Sequence, residues 1–137
     1  MLIDTVAWVR IEKGRILCAR PRGKDVFYIP GGKREGAESD VETLLREIRE
    51  ELAVALDPDT AVHVGTYEAA IPGTLGTPGL PKGAVVRMAC YTAEGEGEPE
   101  PSSEIEEMAW FSYADRELVP PVDQLLFDDL AATGELA

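Results

Sequence analysis

Glu47, Glu50 and Glu51 stand at i,i+3 and i,i+4 spacings inside a run that reads as a helix. Ser39 and Glu42 form a Ser-x-x-Glu capping box, and Val41, Leu44, Leu45, Ile48 and Leu52 recur on one apolar stripe that must face a core. At about 100° per residue the three glutamates share an arc of about 100° on another side of that helix. Each like-charged pair costs an isolated helix roughly 0.2 to 0.5 kcal/mol, which Arg46 and Arg49 offset only in part. A bound cation would compensate. Hard divalent ions take carboxylate and carbonyl oxygens, and Mg²⁺ keeps waters and substrate phosphates in its shell. For the charges alone, a solvated acidic helix face in a structural or interaction protein is the competing explanation.

The residues around the glutamates narrow the choice. The order Gly-x5-Glu-x7-Arg-Glu-hydrophobic-x-Glu-Glu-x-x-hydrophobic is met by Gly32, Glu38, Arg46, Glu47, Ile48, Glu50, Glu51 and Val54. It resembles the signature of the Nudix hydrolases, MutT-like enzymes, most densely over residues 28–54. The resemblance implies a Nudix-type α/β/α sandwich with a mixed β-sheet and Mg²⁺, with Mn²⁺ as a substitute. It further implies metal binding by Glu47, Glu50, Glu51 and the Gly31 carbonyl, with Glu38 acting through water or as a positioning group. Arg46 is then expected to orient a glutamate by a charge-assisted hydrogen bond. In related proteins a glutamate shortly before a tryptophan such as Trp110 binds metal or acts as base, and Glu104 holds that place; one more solvated acid of the tail is the competing reading. One position departs from the pattern: the family's Gly after Leu52, which would suit a left-handed helix cap, is Ala53 here, so the sequence leaves the helix end open.

The reaction expected from the resemblance is metal-dependent cleavage of a diphosphate bond in a nucleoside diphosphate linked to another moiety. A nucleoside triphosphate, ordinary or oxidised, is slightly preferred for so short a chain; ADP-ribose, nucleotide sugars and dinucleoside polyphosphates stay open. So does a nucleotide-sensing domain without turnover. Arg20, Arg22 and Lys33 lie in a basic segment that leads into the acidic helix and are candidates for phosphate contacts. Phe27 and Tyr28 could stack on a base, although their alternation puts at least one in the core.

Charge excludes one class of partner. The net charge is -13, and from Glu94 to the end there are thirteen acids and one base, Arg116. Such a surface repels a phosphate backbone, so duplex nucleic acid is not expected. No apolar run is long enough for a bilayer, and no signal peptide opens the chain, so a cytoplasmic location and no membrane partner are expected. The oligomeric expectation is a monomer or homodimer. Cys18 and Cys90 read as reduced core residues, and His63 as structural.

The elements that must position these groups follow from pattern. All of residues 1–137 are expected to form one domain. Leu2 to Ile11 and Arg15 to Arg20 read as a hairpin across Glu12-Lys13-Gly14, and Val26 to Ile29 as a short strand ended by Pro30-Gly31-Gly32. Further strands are expected at Ala61–Ile71, Ala84–Ala93 and Ile105–Phe111, with a last helix over Val122–Ala132. Pro72–Gly83 and Glu94–Ser103 read as loops. Strands, helix, strands and helix in that order fit a mixed sheet between helices.

Overall fold

Along the first strand, β1 (Leu2–Trp8), Val6 and Trp8 point one way and Ala7, with Val9 just beyond, the other; all four are buried. A strand buried on both faces needs a helix on each, and the computed structural model, which describes residues 2–71 and 84–137, supplies them. Val6 and Trp8 pack with Leu17 on Leu44, Ile48 and Leu52 of α1 (Asp40–Leu52). Ala7 and Val9 pack with Cys18, Met88 and Cys90 on Val122, Leu126 and Phe127 of α2 (Pro121–Ala132). The result is a mixed sheet between two helices, as expected.

That sheet has the order β4-β1-β7-β6, with β4 at Gly31–Lys33, β6 at Val62–Ala70 and β7 at Val85–Thr92. β1 runs parallel to β7 and antiparallel to β4. A second, antiparallel sheet joins β2 (Ile11–Glu12), β3 (Arg15–Pro21) and β9 (Ile105–Phe111), and β5 (Ala55–Leu56) pairs with β8 (Gly95–Glu96).

Several local expectations change, among them the loop at Glu94–Ser103, which contains the short strand β8. The hairpin turns at Lys13-Gly14, both with positive φ, but it joins β2 to β3, while β1 belongs to the other sheet. Residues 26–29 are not a strand. Their backbone donors go to three different elements: Phe27 N–H to Leu118 C=O at 2.9 Å, Tyr28 N–H to Ala19 C=O at 2.8 Å, and Ile29 N–H to the Asp123 carboxylate at 2.8 Å. No ladder can form from donors spent that way. The Gly-Gly segment expected to end that strand is itself the strand, with Gly31 opposite Ala7 and Gly32 opposite Val6. The expected loop at Pro72–Gly83 lies outside the described residues.

α1 starts where its sequence says. The Ser39 hydroxyl accepts from Glu42 N–H at 3.1 Å, and the Glu42 carboxylate accepts from Ser39 N–H at 3.0 Å. It also ends where the family's glycine would end it: Ala53 takes the left-handed conformation at φ 55° and its N–H reaches Arg49 C=O at 3.1 Å. Cys18 and Cys90 are buried free thiols, and His63 is occupied with Thr66 and the edge of Tyr91.

Candidate active site

Arg46, on the face of α1 that looks toward β4, organises the acids around it. Its guanidinium grips Glu38 through Nε at 2.8 Å and a terminal nitrogen at 2.9 Å, donates to Glu47 at 2.8 Å, and donates to the Lys33 carbonyl at 3.0 Å. Glu38 also accepts from Glu35 N–H at 3.0 Å and from the Thr43 hydroxyl at 3.2 Å. These donors, Arg46 first, hold the Glu38 carboxyl down at about 2. Glu38 is thereby committed to the bracket between the loop and α1.

Glu47 and Glu51 face a cavity of about 540 Å³. Glu51 accepts from Gly31 N–H at 2.9 Å, which fastens α1 to β4. Burial lifts the Glu51 carboxyl to about 8 against that hydrogen bond, and the charges of Glu47, Glu104 and Glu50 push the same way. Glu47 is also raised, by burial above all, despite its bond to Arg46. Gly32 is required beside them, because a Cβ there would overlap the Glu47 carboxylate. Gly31 is required by β1, because its Cβ would overlap the Val6 carbonyl oxygen.

The other expected site residues divide. Lys33, Gly31 and Glu104 line the cavity with Glu47 and Glu51. Glu50 does not: its side chain is 54% exposed and lies 3.7 Å from Arg46. Arg20 and Arg22 are not brought to the cavity either. Arg20 pairs with Glu107 at 3.1 Å and Glu106 at 3.2 Å across the β3–β9 ladder, and Arg22 donates to the Ser103 carbonyl at 3.1 Å. Phe27 packs edge-on against Phe111 in the core, whereas Tyr28 lines the cavity beneath the Lys24 ammonium, 5.6 Å from its ring centre.

The part of the lining drawn from β6, β7 and the start of α2 is apolar: Ala69, Val86, Met88 and Pro120 to Val122, with Asp123 beside them. Asp123, only 3% exposed, accepts from Ile29 N–H at 2.8 Å, and burial pushes its carboxyl up to about 7. Sequence reasoning missed Asp123, Lys24 and Glu35 as cavity residues. An Asp in the first turn after Pro120-Pro121 reads as an ordinary helix-start residue, and only the tertiary fold turns it inward.

Among the described residues no three acidic, histidine or cysteine side chains form a ready-made metal cage. Glu38 is held by Arg46 and Glu50 is turned outward, so the expected convergence of all the glutamates is not present. The donors nonetheless suit a hard cation: Glu47, Glu51 and Glu104 offer oxygen only, and the raised Glu51 carboxyl is an acid held near other acids.

A NUDIX domain family model matches residues 2–128. Among solved structures, the E. coli ORF135 protein superposes with a TM-score of 0.73 at 24% identity, covering 97% of this chain and 91% of its own. The MutT NUDIX hydrolase from Burkholderia pseudomallei gives a TM-score of 0.74 at 21% identity, covering 93% and 97%. The E. coli dihydroneopterin triphosphate pyrophosphohydrolase gives 0.69 at 17% identity, covering 96% and 95%. At these identities the structural likeness speaks for the fold alone. No curated protein matches the chain. The family match covers nearly the whole sequence: the chain belongs to the Nudix family and is in class a Nudix pyrophosphohydrolase, consistent with hydrolysis of nucleoside diphosphate derivatives and with a family that generally uses divalent metals.

Proposed function

Taking the chain as a Nudix enzyme, we propose that it is a Mg²⁺-dependent hydrolase of a nucleoside triphosphate, ordinary or oxidised, in which residues 1–137 act as one domain. The observation that carries this reading is the mixed lining of one cavity. It combines Glu47, Glu51, Glu104 and Lys33 with a set of apolar side chains and the buried Asp123. A nucleotide likewise combines charged phosphates with an apolar base face. The names of two structural neighbours, a MutT hydrolase and a triphosphate pyrophosphohydrolase, favour a triphosphate among the possible substrates.

In this reading Glu47, Glu51 and the Gly31 carbonyl hold the ion, Glu50 joins them by rotating inward, and Glu38 acts only through Arg46. A bound divalent ion neutralises phosphate oxygens and lowers the pKa of a coordinated water. Lys33 and Lys24 contact phosphate oxygens. Tyr28 and the apolar side chains take the base, with the Asp123 carboxyl, which already accepts from Ile29 N–H, among the lining. Glu104 is the general base, its carboxylate accepting the proton of the attacking water. Two buried free cysteines suit a reducing cytoplasmic setting.

A panel of ordinary and oxidised nucleoside triphosphates, ADP-ribose, a dinucleoside polyphosphate and a nucleotide sugar, each with Mg²⁺ and Mn²⁺ and with product identification, tests it. The highest kcat/KM is expected on a triphosphate. Preferential turnover of ADP-ribose or a nucleotide sugar refutes the substrate assignment, and full turnover in excess EDTA refutes the metal.

A further inference from the structure

We propose that Arg22 is a positioning residue for Glu104, and that residues 100–105 form a strap tying Glu104 to the end of α1. The inference rests on the role given to Glu104 above. Glu104 is exposed and follows an acidic loop, so its carboxylate stays beside Glu51 only if its backbone is held.

Four hydrogen bonds hold it. The last carbonyls of a helix have no N–H within the helix to receive, and here the strap supplies two: Glu100 N–H reaches Leu52 C=O at 3.0 Å and Ser102 N–H reaches Glu51 C=O at 2.9 Å. The strap is thus registered to Glu51, which lines the same cavity as Glu104. Ser103 then turns through a left-handed conformation, φ 53°, which a residue with a Cβ adopts reluctantly and which needs support from its surroundings. Arg22 gives that support on both sides of the turn. Its guanidinium donates to Ser103 C=O at 3.1 Å, and its backbone N–H donates to Glu104 C=O at 2.9 Å. The cation expected to meet a phosphate is instead engaged with the peptide that precedes Glu104.

The test is Arg22→Ala, alone and combined with Glu104→Gln. Loss of one charge-assisted bond should loosen the turn by about tenfold in population. In metal-free protein, amide exchange at residues 102–105 is expected to accelerate by about that factor while exchange in α2 stays unchanged. With saturating Mg²⁺, kcat should fall about tenfold with KM nearly constant, and this loss should vanish in the Glu104→Gln background, because coupled residues are not additive. Unchanged exchange at 102–105 overturns the proposal, as does a raised KM at constant kcat or a full tenfold loss on top of Glu104→Gln. If Glu104→Gln alone keeps wild-type kcat, the general-base assignment fails instead, and the exchange measurement by itself upholds or overturns the strap.

Discussion

Glu51→Gln should make the metal-free protein more stable at alkaline pH while abolishing most of its activity. The carboxyl ionises near 4.5 in the unfolded chain but only at about 8 in the folded one, chiefly because of burial. The sign follows from proton counting. Between those values the folded state holds a proton that the unfolded state has released, so unfolding is favoured by each rise in pH. The contribution of Glu51 is therefore most favourable below about 4.5, declines as pH climbs, and levels off above about 8. At 1.36 kcal/mol for each pH unit the decline reaches about 5 kcal/mol as a ceiling, and partial exposure of the site to water reduces it to a few kcal/mol. Glutamine keeps an oxygen to accept the Gly31 N–H bond now at 2.9 Å, so the substitution removes the charge and little else.

Urea melts in EDTA at pH 5 and pH 8.5 provide the assay. The variant and the wild type should be close at pH 5, with the variant ahead by about 2 to 4 kcal/mol at pH 8.5. Asp123, raised to about 7, slopes the same way in both proteins and cancels from the difference. Saturating Mg²⁺ should then reverse the order, because the wild type gains stability by mass action and the variant lacks a ligand charge. kcat should fall by several orders of magnitude. A variant less stable than wild type at pH 8.5 in EDTA, or a stability gap independent of pH, would refute the account of Glu51 as a buried acid held among other acids.

Four further substitutions separate the fold from the chemistry. Ala53→Gly removes a Cβ from a left-handed cap and should stabilise by about 0.5 to 1 kcal/mol with kcat unchanged, read from the urea midpoint. Gly32→Ala should cost at least tenfold in kcat and only a few degrees in Tm, because its Cβ would displace the end of the Glu47 side chain rather than backbone; Gly31→Ala, which meets the Val6 backbone, should lower Tm far more. Arg46→Lys keeps the charge but not the fork on Glu38 and Glu47, so Mn²⁺ affinity measured by electron paramagnetic resonance should weaken by about 10 to 100-fold.

What could be read before the fold was known was local. The start of α1 follows from the Ser39–Glu42 box and its body from an apolar stripe within thirteen residues, but its end was not legible, because alanine disfavours the left-handed cap that Ala53 adopts. The mixed sheet between helices follows from element order. The failures are contacts between segments far apart in the chain. Asp123 meets Ile29 across 94 residues, and nothing near Asp123 indicates it. Arg20 and Arg22 looked like phosphate ligands because they precede the acidic helix, but their partners arrive from Ser103, Glu106 and Glu107. Residues 26–29 looked like a strand because they are apolar, yet their donors answer to three separate elements.

These long-range pairings also decide how the cavity treats charge. β9 brings the acidic end of the chain against the basic segment, and the ladder consumes Arg20 on Glu106 and Glu107 while Arg22 turns to the strap. Among the described residues the cavity keeps Lys24 and Lys33 as its cationic lining, against Glu35, Glu47, Glu51, Glu104 and the buried Asp123. A polyphosphate arriving alone would meet more negative charge than positive, in a setting where water screens less than in bulk. On the proposed function, binding of substrate and of divalent cation would therefore be coupled: each would lower the electrostatic cost of the other. With Arg20 and Arg22 spent on the ladder and the strap, the balancing charge for the proposed anionic substrate would enter with the proposed metal.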